Sequence, residues 1–173
     1  MLAHDCLAAS KKSRRRKVEI NMTSGAEARL QELGLVLPAL PATGGNYVPA
    51  KTVQCMVYLS GVISTGPNGV ITGTAGADKT VEDGYAAARA CALIHLAVLK
   101  KPLGSLDAVK SIVGVNGYVN ATAGFADSPA VINGASDLFL QVFGEAGRHV
   151  RAAIGVPALP RNALVEVQVT AEI

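Results

Sequence analysis

Residues 164–172 alternate without interruption: Val165, Val167, Val169 and Ala171 fall on one side of an extended chain, and Glu166, Gln168 and Thr170 on the other. Successive side chains of a β-strand point to opposite faces. The pattern therefore predicts a strand in a sheet that is covered on one face and more polar on the other. Residues 80–100 can supply the cover. At about 100° per residue, Val81, Tyr85, Ala88, Ala92, Leu96 and Leu99 form one apolar stripe of a helix. Thr80 and Asp83 resemble a capping box with Asp in place of Glu, and Pro102 and Gly104 predict the stop. A second helix is expected from Pro129 to about residue 145, with Val131, Ala135, Leu138 and Val142 on its apolar face.

The other elements are shorter. Ser24-Gly-Ala-Glu27 is a capping-box pattern that opens a helix over about 25–33, with Gly34 as its stop. Residues 36–46 read as an extended lead-in ending at Tyr47. A strand is expected over 53–60, and Gly66-Pro-Asn-Gly69 turns it into a strand near 70–73. Further strands are expected over 109–120, 151–156 and 164–172. The order is short helix, ββ, α, β, α, ββ, which predicts an α+β fold with both long helices on one face of the sheet. Ala152, Ile154 and Val156 alternate against Arg151, Ala153 and Gly155, so the second face is too apolar in places to be simply wet. Burial of that face by further subunits is the expectation.

A chain of 173 residues suits one domain with a sizeable core. Aromatics make up 4% and Trp is absent, so Ala, Val, Leu and Ile must build that core. The same poverty argues against a surface for stacking nucleic-acid bases. Residues 1–21 hold six basic and two acidic residues, a charge of +4, and the remainder is nearly neutral with ten basic and eleven acidic. The basic run Lys11–Lys17 could be a nuclear-localisation-like or nucleic-acid patch, or a transit peptide, against which Asp5 and Glu19 argue. The simpler expectation is a disordered tail over 1–21 and a single domain over 22–173. Three widely spaced cysteines show no metal spacing and predict reduced thiols in the cytoplasm. No apolar run reaches about 18 residues, so no membrane span is expected. No phosphate-loop, zinc or hydrolase motif calls for a cofactor or metal.

Among residues able to do chemistry, His95 lies near an apolar helix stripe and reads as core, His149 follows Arg148 in an expected exposed loop, and His4 belongs to the tail. Cys55 and Cys91 read as small core or half-buried residues, and Asp78, Glu82 and Asp83 as groups compensating a helix N-terminus. Arg151 and Glu166 differ. A guanidinium in a short apolar strand needs an anion. If the two strands are adjacent, the pair can form an internal salt bridge. Alternatively, Arg151 clamps a substrate carboxylate through two parallel hydrogen bonds while Glu166 positions water or moves a proton.

An ordered set of segments carries a resemblance: Gly45-Asn-Tyr-Val-Pro-Ala50, Val57-Tyr-Leu-Ser-Gly61, Gly104-Ser-Leu-Asp-Ala-Val-Lys110, Val119-Asn120, Val131-Ile-Asn133, Arg151-Ala-Ala-Ile-Gly-Val-Pro-Ala-Leu-Pro160 and Val165-Glu-Val167. Over residues 29–173 the chain resembles the RidA/YjgF family of reactive-intermediate deaminases, also labelled endoribonuclease L-PSP. The resemblance implies a chorismate-mutase-like α+β subunit with a mixed sheet, assembled as a homotrimer with ligand clefts between subunits. It implies hydrolysis of enamine or imine carboxylates such as 2-aminoacrylate to 2-keto acids and ammonia. Arg151 would grip the carboxylate with the backbone around Ala153 assisting, Glu166 would orient water, and Tyr47, Ser60 and Asn133 would line the cleft. Ala153 stands where the family often has Cys, Val62 where it usually has Gln, and the Phe125–Pro129 insert resembles a less characterised branch. A binding or sensing protein for small carboxylates, without turnover, is the alternative. A nuclease is the third reading, and the near-neutral domain and missing His pair argue against it.

Overall fold

The computed structural model of the chain describes residues 25–40 and 43–173. The basic tail and Ser24, with its half of the expected capping box, lie outside the described residues. Glu27 is engaged elsewhere. It accepts from the Leu106 N–H at 2.9 Å and from Lys100 Nζ at 2.7 Å, tying α1 (Ala26–Glu32) to the far end of the first long helix.

That long helix, α2 (Val81–Leu103), begins at the expected cap. The Thr80 hydroxyl accepts from the Asp83 N–H, and the Asp83 carboxylate accepts from the Thr80 N–H, at 3.2 and 3.0 Å. Its end is at Gly104, as expected, but Pro102 does not break it. Pro102 sits inside the last turn, where its missing N–H removes only one helix bond, and the helix stops at Gly104, whose φ of 76° few other residues adopt. The second long helix, α3 (Ser128–Phe143), starts with Pro129 in its first turn.

Among the described residues eight strands complete the fold: β1 (Ala50–Val53), β2 (Met56–Leu59), β3 (Val62–Ile63), β4 (Thr65–Gly66), β5 (Gly69–Val70), β6 (Ser111–Asn120), β7 (Val150–Val156) and β8 (Val165–Glu172). The main sheet runs β1-β2-β8-β6-β7, with β3 also pairing with β8. Only β6 and β7 are parallel; the rest of the sheet is antiparallel. The expected single strand over 53–60 is instead a hairpin, β1 and β2, closed by Gln54 and Cys55 with Gln54 at φ 54°. Residues 69–73 give only the two-residue β5, paired with β4. Ile71 then bonds to the backbones of Ser64 and Leu164.

The sheet has the two faces its last strand announces. Val165, Val167, Val169 and Ala171 are buried under the helices, while Gln168 on the other side is exposed. The fold is the expected α+β arrangement with both long helices on one face. They approach so closely that a Cβ at Gly134 would strike the Tyr85 carbonyl. Tyr85 Oη donates to Asp137 at 2.9 Å and Arg89 to Gln141 at 3.0 Å across the same seam. Among the described residues no helix is long and apolar enough to cross a membrane.

Candidate functional site

Arg151 lies on β7, one of the two edge strands of the main sheet, opposite Val115 of β6. Val115 is buried beneath the helices, and paired residues share a face, so Arg151 emerges on the helix side beside α3. Its Nη1 donates to Asn133 Oδ1 at 2.8 Å and to Ser136 Oγ at 3.0 Å. Asn133 and Ser136 sit three residues apart, one above the other on the same face of α3. Ala153, two residues along β7, shares the Arg151 face and packs against the core.

Glu166 stands elsewhere. It pairs with Tyr118 on β6, three residues beyond Val115, and so points to the opposite face of the sheet. β6 separates β8 from β7. Two strand spacings place Glu166 about 10 Å sideways from Arg151, and three residues add about 10 Å along the strand. The salt bridge within one copy is therefore excluded: the two strands are not adjacent and the side chains leave opposite faces. Among the described residues the ion pairs are Lys100–Glu27 and Arg148–Glu145, and the Arg151 guanidinium has no carboxylate partner. Arg151 is exposed at this edge, so solvent reaches its charge.

Around Glu166 a second group assembles. A Cβ on Gly61 would collide with the Glu166 carboxylate, so glycine there lets the β2–β3 link lie against the acid. Ser60, next to it, donates from Oγ to the Val48 carbonyl at 2.7 Å and from its backbone to the Pro49 carbonyl at 2.9 Å. These bonds fasten the segment following Tyr47, whose ring is half exposed and whose hydroxyl accepts from the Gly44 N–H at 3.4 Å. Partial burial raises the Glu166 carboxyl above its ordinary value. One chain thus carries two separate polar groups, Arg151 with Asn133 near Ala153 at the β7 edge, and Glu166 beside Gly61, next to Ser60 and the segment it fastens, toward the β1–β2 side.

The histidines divide. His95 is fully buried, with Nε2 donating to the Val167 carbonyl at 2.8 Å, in keeping with a core role. Burial lowers its imidazole to about 4. Burial also pushes the Cys91 thiol well up, which leaves it inert. His149 corrects the expectation of an exposed loop residue. It is half-buried, edge-on to the Phe139 ring, and its two nitrogens meet the Gly147 carbonyl at 2.7 Å and Ser136 Oγ at 3.0 Å. Sequence reading passed over Ser136 and placed His149 in an exposed loop. The three-residue spacing from Asn133 could have flagged Ser136, whereas nothing in the sequence pattern pointed to His149.

Residues 27–173 match the family model described as YjgF/chorismate mutase-like endoribonuclease. The chain belongs to this family. Protein TCP17 of Trypanosoma cruzi is 45% identical over 148 residues, which cover 84% of this chain and 92% of that protein. A crystal structure from Shewanella oneidensis aligns with a TM-score of 0.83 at 38% identity, over 87% of this chain and 100% of that one. RidA from an Antarctic Psychrobacter aligns at 0.54 and 25% identity, over 78% of this chain and 94% of that one. The higher score of the Shewanella protein places the chain nearer to it than to that RidA.

Proposed function

We propose that the chain hydrolyses small enamine or imine carboxylates of the 2-aminoacrylate type to 2-keto acids and ammonia, at clefts between copies of a homotrimer. The observation that carries this reading is the unpaired guanidinium of Arg151, exposed and fixed by Asn133 at the sheet edge. A small carboxylate satisfies it through paired charge-assisted hydrogen bonds, with backbone near Ala153 assisting. The half-site around Glu166 is contributed by a neighbouring copy, because within one copy it faces the wrong way. With Ser60 and Tyr47 it forms the opposite wall.

The reaction asks little of the protein. The enamine tautomerises to the imine, water adds at the carbon bearing nitrogen, and ammonia leaves as the keto group forms. Glu166 orients the water and carries the proton from oxygen to nitrogen, a task suited to a carboxyl with a raised pKa. Holding the imine still while excluding other nucleophiles supplies most of the benefit.

The test is ammonia release from freshly generated 2-aminoacrylate. Arg151→Ala should lower kcat/KM about 10–100-fold, corresponding to about 1.5–3 kcal/mol for a charge-assisted clamp. Equal rates would reject the role of the arginine. Keto-acid binding without ammonia release would instead identify a binding protein.

A further inference from the structure

The Arg151 guanidinium is held by one arm only. It has five N–H donors. Both contacts the structure gives it are made by Nη1, to Asn133 Oδ1 at 2.8 Å and Ser136 Oγ at 3.0 Å. Nη1 carries two hydrogens, so that nitrogen is fully used. Among the described residues Nη2 and Nε have no partner.

Behind Ser136 the donor directions form a chain once the imidazole is neutral. The Gly147 carbonyl can only accept, so His149 Nδ1, 2.7 Å away, carries the hydrogen. In a neutral imidazole, Nε2 is then the acceptor, and the Ser136 hydroxyl, 3.0 Å away, must donate to it. The serine oxygen is left with its lone pairs turned to Arg151. Desolvation, together with the nearby Arg151 charge, lowers the His149 pKa and favours this neutral form. The Arg148–Glu145 pair is the other charged group on its segment, and its members are bonded to each other. Ser136 is 8% exposed and Phe139 is fully buried against the imidazole edge, so the relay sits on packed α3.

We propose that Ser136 and His149 are positioning residues for Arg151: they and Asn133 occupy both hydrogens of Nη1 and turn the Nε/Nη2 edge outward as the edge that takes the carboxylate. This rests on the reading that Arg151 binds a carboxylate, and it adds the orientation of that grip and the residues that set it. A guanidinium free to rotate would offer a carboxylate either of two kinds of edge and would lose freedom on binding. One locked in advance loses less.

The experiment measures pyruvate binding by calorimetry to the full chain and to five variants. Ser136→Ala and His149→Phe should each weaken binding several-fold to about tenfold, and the double variant no more than either alone, because both break one relay. His149→Gln, whose side-chain oxygen can accept from Ser136, should restore binding to within about twofold of wild type. A purely structural role for His149 would give no such rescue, and additive losses would contradict the relay. Circular dichroism confirms that each variant folds. Arg151→Ala separates the two claims. If it binds like wild type, the carboxylate reading itself fails. If it loses binding while Ser136→Ala and His149→Phe do not, only the positioning role is overturned.

Discussion

At the scale of single residues, the sequence exposed the charged groups and hid the neutral ones that orient them. Arg151 and Glu166 stood out because a permanent charge among apolar strand residues needs a reason. Their separation to opposite faces was not legible, since it depends on β6 lying between β7 and β8. Ser136 and His149 were hidden for a similar reason: their contact exists only once β7 docks against α3. His95 allows a test of the core. Its imidazole titrates near 6.5 when unfolded and at about 4 when folded. Between those values the unfolded chain binds the extra proton, so acidification favours unfolding. The fold should lose about 3 kcal/mol as pH falls from about 7 to below about 4 through this group alone. In urea unfolding at a series of pH values, His95→Gln should flatten that part of the profile. A profile unchanged by the substitution would contradict the buried neutral assignment.

At the scale of elements, long periodic segments were read well. Both long helices, the cap at Thr80 and the alternation of β8 follow from patterns that burial enforces along many residues. The β1–β2 hairpin escaped because its turn uses Gln54 and Cys55, with none of the Asn-Gly or Gly residues that announce a tight turn. Pro102 misled in the other direction, since a proline in the last turn need not end a helix. The seam between α2 and α3 depends on Gly134, where a methyl group has no room against the Tyr85 carbonyl. Gly134→Ala should therefore destabilise the fold by about 1–3 kcal/mol in denaturant unfolding, although alanine is the better helix former. A gain in stability would show that the helices part at little cost.

At the scale of the whole molecule, two features of a single copy bear on the proposed assembly. Its open sheet face and edge leave Val150 75%, Tyr58 51% and Ile154 50% exposed, which are large apolar groups for a solvated surface. Its Arg151 and Glu166 side chains leave opposite faces of the sheet. The proposed homotrimer accounts for both by burying the apolar face and joining the Arg151 group of one copy to the Glu166 group of the next. The central claim is tested most directly by mixing Arg151→Ala and Glu166→Gln chains, refolding them together and measuring ammonia release from 2-aminoacrylate. If each site draws its halves from two copies, random assembly leaves about one quarter of the sites with both native halves, and about one quarter of wild-type activity should return. A mixture no more active than the two variants apart would contradict a site shared between copies.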